Sequence, residues 1–144
     1  MSSWRDTASD IAQRDLDELL GTCLGFAQQQ LAEHGEFFPY AAAVRDDGRV
    51  EMVASRLEFT NDRPESATVI ASCEATLTEM REELRATAVV ADVRTTGGDG
   101  IQVNLEHVEG STLVVLLPYS RRRFRTVKYG QLSAASGIPQ IWSW

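Results

Sequence analysis

The chain is expected to fold as an α+β domain: one mostly antiparallel sheet of about six strands, with two helices packed on one face. Three observations predict this. Apolar residues recur at helical spacing in two stretches, near 10–34 and 65–84; the intervening and following segments alternate in the manner of strands; and Asp/Gly/Ser clusters separate them. A length of 144 residues fits a single domain that buries roughly 68–70% of the surface its unfolded chain exposes.

Residues 1–8 read as a loose polar lead-in. Thr7-Ala8-Ser9-Asp10 fits a capping box, in which hydroxyl and carboxylate satisfy the free N–H groups of a helix start. Ala12, Leu16, Leu20, Cys23, Ala27 and Leu31 then repeat at helical spacing, with Leu19 and Leu24 widening the stripe. Gly21 and Gly25 interrupt it, at a cost of roughly 1 kcal/mol each against alanine. Gly35 ends the helix, because glycine takes the left-handed geometry of a helix stop cheaply.

Phe38–Arg45 and Arg49–Leu57 read as strands about an Asp46-Asp47-Gly48 turn. Asn61-Asp62-Arg63-Pro64-Glu65 opens a second helix, since proline is tolerated in a first turn. Its stripe is Ala67, Ile70, Cys73, Leu77, Met80 and Leu84, with Glu74, Arg81, Glu82 and Arg85 placed towards solvent. Four strands follow: Ala88–Arg94, Ile101–Val108, Thr112–Tyr119 and Phe124–Tyr129. A two-residue Glu109-Gly110 turn would pair Leu105 with Val114, leaving Leu113, Val115 and Leu117 on the face away from Leu105. Residues 131–144 read as an irregular tail ending in Trp142-Ser143-Trp144.

Hydrophobic content of 43% and charged content of 24% are ordinary for a globular protein. The net charge of −7 argues against non-specific binding to nucleic acid or anionic membranes. Nothing resembles a signal peptide or a membrane span, and two cysteines 50 positions apart match no zinc or redox spacing. A cytosolic protein without a cofactor is the expectation. The charge is unevenly placed, however. Arg121, Arg122, Arg123, Arg125 and Lys128 crowd into eight positions, while the rest of the chain carries nine basic and twenty-one acidic residues.

Gly35-Glu36-Phe37-Phe38-Pro39-Tyr40-Ala41 resembles the GEFYPFA segment of a group of small uncharacterised bacterial proteins. Asp99-Gly100-Ile101 with Leu105-Glu106-His107 is similar to their DAI…LEH stretch, with Gly100 where alanine is usual. Leu117-Pro118-Tyr119 and Lys128-Tyr129-Gly130 look like their PY and YG landmarks. The resemblance spans roughly residues 16–142 in one order. It implies the element order and brings no substrate or catalytic residue.

Among possible sites, the two histidines share a frame, Glu33-His34-Gly35-Glu36 and Glu106-His107-Val108-Glu109. On a strand Glu106 and His107 point to opposite faces, so they cannot both ligate one ion, and His34 sits where a helix end favours positive charge. Both frames read as structural junctions. The loop Thr96-Gly97-Gly98-Asp99-Gly100 lacks the lysine and following helix of a phosphate loop and reads as a hairpin. Cys23 and Cys73 fall on apolar stripes and read as core residues.

The better candidates are Tyr119, Arg121, Arg122, Arg123, Arg125 and Lys128, where guanidinium forks and aromatic rings would suit an anion or an acidic partner. Trp142 and Trp144 join them, as a tail that covers the second sheet face or meets a partner there. The leading expectation is a non-catalytic protein-interaction or accessory (immunity-type) factor, through a protein partner or as a homodimer. The alternative is a small anionic-ligand binding or sensing domain; a metal-dependent enzyme is the remote third.

Overall fold

Helix α1 spans Asp10–His34, and the computed structural model describes residues 8–53, 66–121 (Arg121 by its backbone alone) and 127–142. Its cap is Ser9, whose hydroxyl accepts the Ala12 N–H at 3.1 Å. Thr7, the expected capping hydroxyl, lies outside the described residues. At the other end Gly35 adopts φ 77° and donates its N–H to Leu31 O, as a glycine stop should. Ala12, Leu16, Leu19, Cys23, Ala27 and Leu31 are buried. Phe37 and Phe26 pack edge-on against Tyr40, with centroids 5.8 and 4.8 Å away, and Tyr40 donates its hydroxyl to Cys23 O. The GEFFPY segment thus clamps the end of α1 to the sheet.

Gly21 and Gly25 take no part in that packing. Both are exposed, and a Cβ placed on either would meet nothing within 4 Å. Gly21→Ala and Gly25→Ala are therefore expected to stabilise the chain by roughly 0.5–1 kcal/mol each, read as a higher urea midpoint.

Strands β1 (Tyr40–Arg45), β2 (Val50–Val53), β3 (Leu84–Thr95), β4 (Gly98–His107), β5 (Thr112–Arg121) and β6 (Val127–Tyr129) form one antiparallel sheet in the order β2-β1-β3-β4-β5-β6. Helix α2 covers Ser66–Met80, and a 3₁₀ turn at Arg81–Glu83 leads into β3. The expected class and the order helix, hairpin, helix, meander hold. The Asp46-Asp47-Gly48 hairpin also stands, with Gly48 at φ 89°. Residues 54–65 lie outside the described residues.

The helices do not share a face. Helix α1 packs with Ala42, Val44, Ala86, Ala88 and Val90, whereas α2 packs with Ala41, Ala43, Val53 and Val89. Alternate residues of β1 and β3 point to opposite sides, so two helices sandwich these strands. Their Ala-rich runs suit this, because small side chains on both faces let a helix approach each. Strands β4 and β5 instead alternate, burying mainly the α1 side. Leu84 opens a strand rather than closing a helix.

The β4–β5 register also differs from expectation. Leu105 pairs with Leu113, Val103 with Val115 and Ile101 with Leu117. The turn has three residues, Val108-Glu109-Gly110, with Gly110 at φ 111° and His107 N–H bonded to Ser111 O. One extra residue reverses which side each β5 side chain faces. Leu113, Val115 and Leu117 consequently lie in the α1 core, and the exposed apolar face expected there does not exist.

Nor is the tail wholly irregular. Strand β7, Ser133–Ser136, pairs with β5 at Leu113–Leu116, beyond the stretch taken by β6. Ile141 and Trp142 are buried with the α2 core. No helix among the described residues is long and apolar enough to cross a membrane.

Candidate functional site

On the α1 face, a break in regular pairing aims a charged group inward. Val44 pairs with Ala86 and Arg45 with Leu84, leaving Arg85 as an extra residue. Such a bulge re-aims its side chain, and Arg85 Nη2 reaches Asp15 Oδ1 at 2.7 Å. The second oxygen of Asp15 meets His107 Nε2 at 2.9 Å. Because His107 Nδ1 accepts the Glu109 N–H at 3.2 Å, the ring proton belongs on Nε2, donated to Asp15. Asp15 and His107 are 3% and 2% exposed. One turn further on, Glu109 accepts from the Ser9 hydroxyl at 3.0 Å, tying the β4–β5 turn to the start of α1.

The opposite face holds Glu106, also buried. Its carboxylate accepts three consecutive backbone N–H groups of the tail, from Gln140 at 3.0 Å, Ile141 at 3.1 Å and Trp142 at 2.9 Å. Arg81 Nη1 donates to Ile141 O at 3.1 Å. Neighbouring strand residues therefore latch two distant segments, His107 the first helix and Glu106 the C-terminal segment. The opposite-face placement read from the strand period stands.

Beside Glu106 is a cavity of ≈ 320 Å³ between α2, strands β3–β5 and residues 136–141, lined in part by Glu74, Thr87, Gln102 and Asn104. Glu74, expected in solvent, is half-buried there. Burial, and secondarily the Glu106 charge, hold its carboxyl above the ordinary carboxylate range. A carboxyl whose folded pKa is raised above its unfolded value weakens the fold as pH rises through the folded pKa. Glu74→Gln is accordingly expected to raise the melting temperature at neutral pH. The gain should shrink as pH falls and vanish below the ordinary carboxylate pKa.

Among the described residues, those singled out in the sequence fall in different surroundings. Tyr119 is buried, and its hydroxyl donates to Asp92 Oδ1 at 2.6 Å, so its ring is a core element. Lys128 is exposed on β6. Arg122, Arg123, Arg125, Trp144 and the side chain of Arg121 lie outside the described residues. Trp142 is buried beside α2. His34 is exposed and 3.8 Å from Glu33, far from the His107 cluster in sequence and partners. Burial pushes the Cys23 thiol up to about 12 and raises that of Cys73, so both are held protonated. Among the described residues no three His, Cys, Asp or Glu side chains gather as a metal site. The Gly97-Gly98 loop is a hairpin, with Thr95 Oγ1 accepting the Gly97 N–H.

Sequence reasoning missed Asp15 and Arg85. Asp15 interrupts the apolar face of α1 next to Leu16, and a carboxylate inside a buried stripe is the signal that could have found it. No family model matches the chain, and no curated protein or solved structure matches it either.

Proposed function

We propose that the chain is a non-catalytic interaction factor of accessory or immunity type, acting by contact through the edge of its sheet. Strand β7 carries this reading. From Leu132 to Pro139 no residue is charged and, Gly137 apart, all are exposed. Leu132 and Ile138 present large apolar side chains that are 46% and 78% exposed. Sheet edges are ordinarily guarded by charge, proline or a bulge, because their free N–H and C=O groups template pairing with another chain. Ser133–Ser136 carries none of these guards.

The occupant that fits is a second copy. Two bodies of net charge −7 repel, and an uncharged strand lets their backbones approach where that repulsion is least. Antiparallel pairing of β7 with its copy would continue the sheet and withdraw Leu132 and Ile138 from water. The sealed His107 and the buried thiols favour contact over catalysis.

Light scattering at micromolar concentration is expected to give twice the 15.9 kDa chain mass. Ala135→Lys should restore the single mass with an unchanged melting temperature. A wild-type chain of single mass under those conditions would exclude self-association as the contact.

A further inference from the structure

We propose that the cavity beside Glu106 is a binding site for a small organic amine with an apolar body. Its volume, ≈ 320 Å³, lies within the range of small-molecule sites. Two polar side chains that can accept a hydrogen bond line it, Thr87 and Glu74. Thr87 is 1% exposed. Glu74 lines the same space, half-buried, with its backbone C=O accepting the Thr78 hydroxyl at 2.8 Å.

The charge pattern selects the ligand. Glu106 is committed to three tail N–H groups and contributes mainly its field. Among the described residues no lysine, arginine or histidine lines the cavity. Two carboxylates facing one half-enclosed space favour a cation and reject an anion. An ammonium group has three donors, which the Glu74 carboxylate, the Thr87 hydroxyl and the Asn104 amide oxygen can accept. Val89, Val114 and Ile138 would take the apolar body. This ligand is opposite in charge to the anion expected at the arginine turn, and the inference does not depend on β7 pairing.

The test is calorimetric titration of the full chain with n-butylamine, 2-phenylethylamine and putrescine. 2-Phenylethanol and 3-phenylpropionate serve as neutral and anionic controls. At least one amine is expected to bind saturably, with the alcohol roughly tenfold weaker or worse and the carboxylate silent. Glu74→Gln, which removes a charge the fold disfavours, should remain folded and lose roughly tenfold in amine affinity. Thr87→Val, a β-branched replacement of similar shape, should weaken the amine while leaving β3 intact. Three results would overturn the proposal: no amine binding up to about 10 mM, the carboxylate binding as well as the amine, or unchanged amine affinity in Glu74→Gln.

Discussion

Replacing Asp15 by alanine is expected to cost about 3–5 kcal/mol of stability, because it strips the partner from a buried charge network. Asp15 is the shared acceptor of Arg85 and His107, with side-chain exposure of only 4%. Its loss leaves the His107 N–H facing an apolar core and the Arg85 guanidinium without its counter-charge. Asp15→Asn should fall between, since an amide oxygen can still accept one hydrogen bond but offers no charge. Urea denaturation with an unchanged slope would report this as a lower midpoint. Asp47→Ala, at the exposed pair with Arg49, should leave the midpoint nearly unmoved. If Asp15→Ala behaves like Asp47→Ala, the cluster is not the fastener of α1 to the sheet.

Glu106→Gln should cost about 2–4 kcal/mol and free the C-terminal segment. Both carboxylate oxygens accept N–H donors of the tail, so a glutamine must turn its own NH₂ donors towards one of them. Two donors facing each other repel. Trp142, 8% exposed, would then move into water. In a background with Trp4→Phe and Trp144→Phe, the remaining emission should shift to the red. Unshifted emission with full stability would mean that packing with α2, and not the carboxylate, holds the tail. Because Gln140 and Ile141 also border the cavity beside Glu106, the same substitution should loosen one of its walls.

These two residues show how far local reading carries. That Glu106 and His107 face opposite sides follows from the two-residue strand period, and the structure bears it out. What each one touches does not follow. Asp15 lies 92 positions from His107, and the tail donors lie 34 to 36 from Glu106. The bulge at Arg85 has the same character. Nothing in Leu84-Arg85-Ala86 announces an unpaired residue, yet it turns an arginine from solvent towards α1.

The helix faces were more legible than the expectation of a one-sided sheet allowed. Ala41-Ala42-Ala43-Val44 and Ala86 through Ala91 are nearly unbroken small or apolar runs, the mark of strands covered on both sides. Strands β4 and β5 alternate instead, as one-sided strands do. Reading the two patterns separately would have placed α2 opposite α1. The β4–β5 register was harder. A two-residue and a three-residue turn both fit Val108-Glu109-Gly110-Ser111, and the choice reverses the side to which Leu113, Val115 and Leu117 belong. With those residues in the core, exposed apolar surface lies instead beside β7, at Leu132 and Ile138.

The sequence by itself determined the order of the elements from α1 to β6, the Gly35 helix stop, the turns at Asp46-Asp47-Gly48 and Gly97-Gly98, and the opposed faces of Glu106 and His107. Each depends on a residue and its near neighbours, through backbone geometry that a glycine or an alternating pattern sets. Only the tertiary structure decided the side taken by α2, the strand register, the Asp15 network and the carboxylate latch on the tail. Those depend on which surfaces meet across the fold, where burial makes one unpaired polar group costly enough to choose its partner.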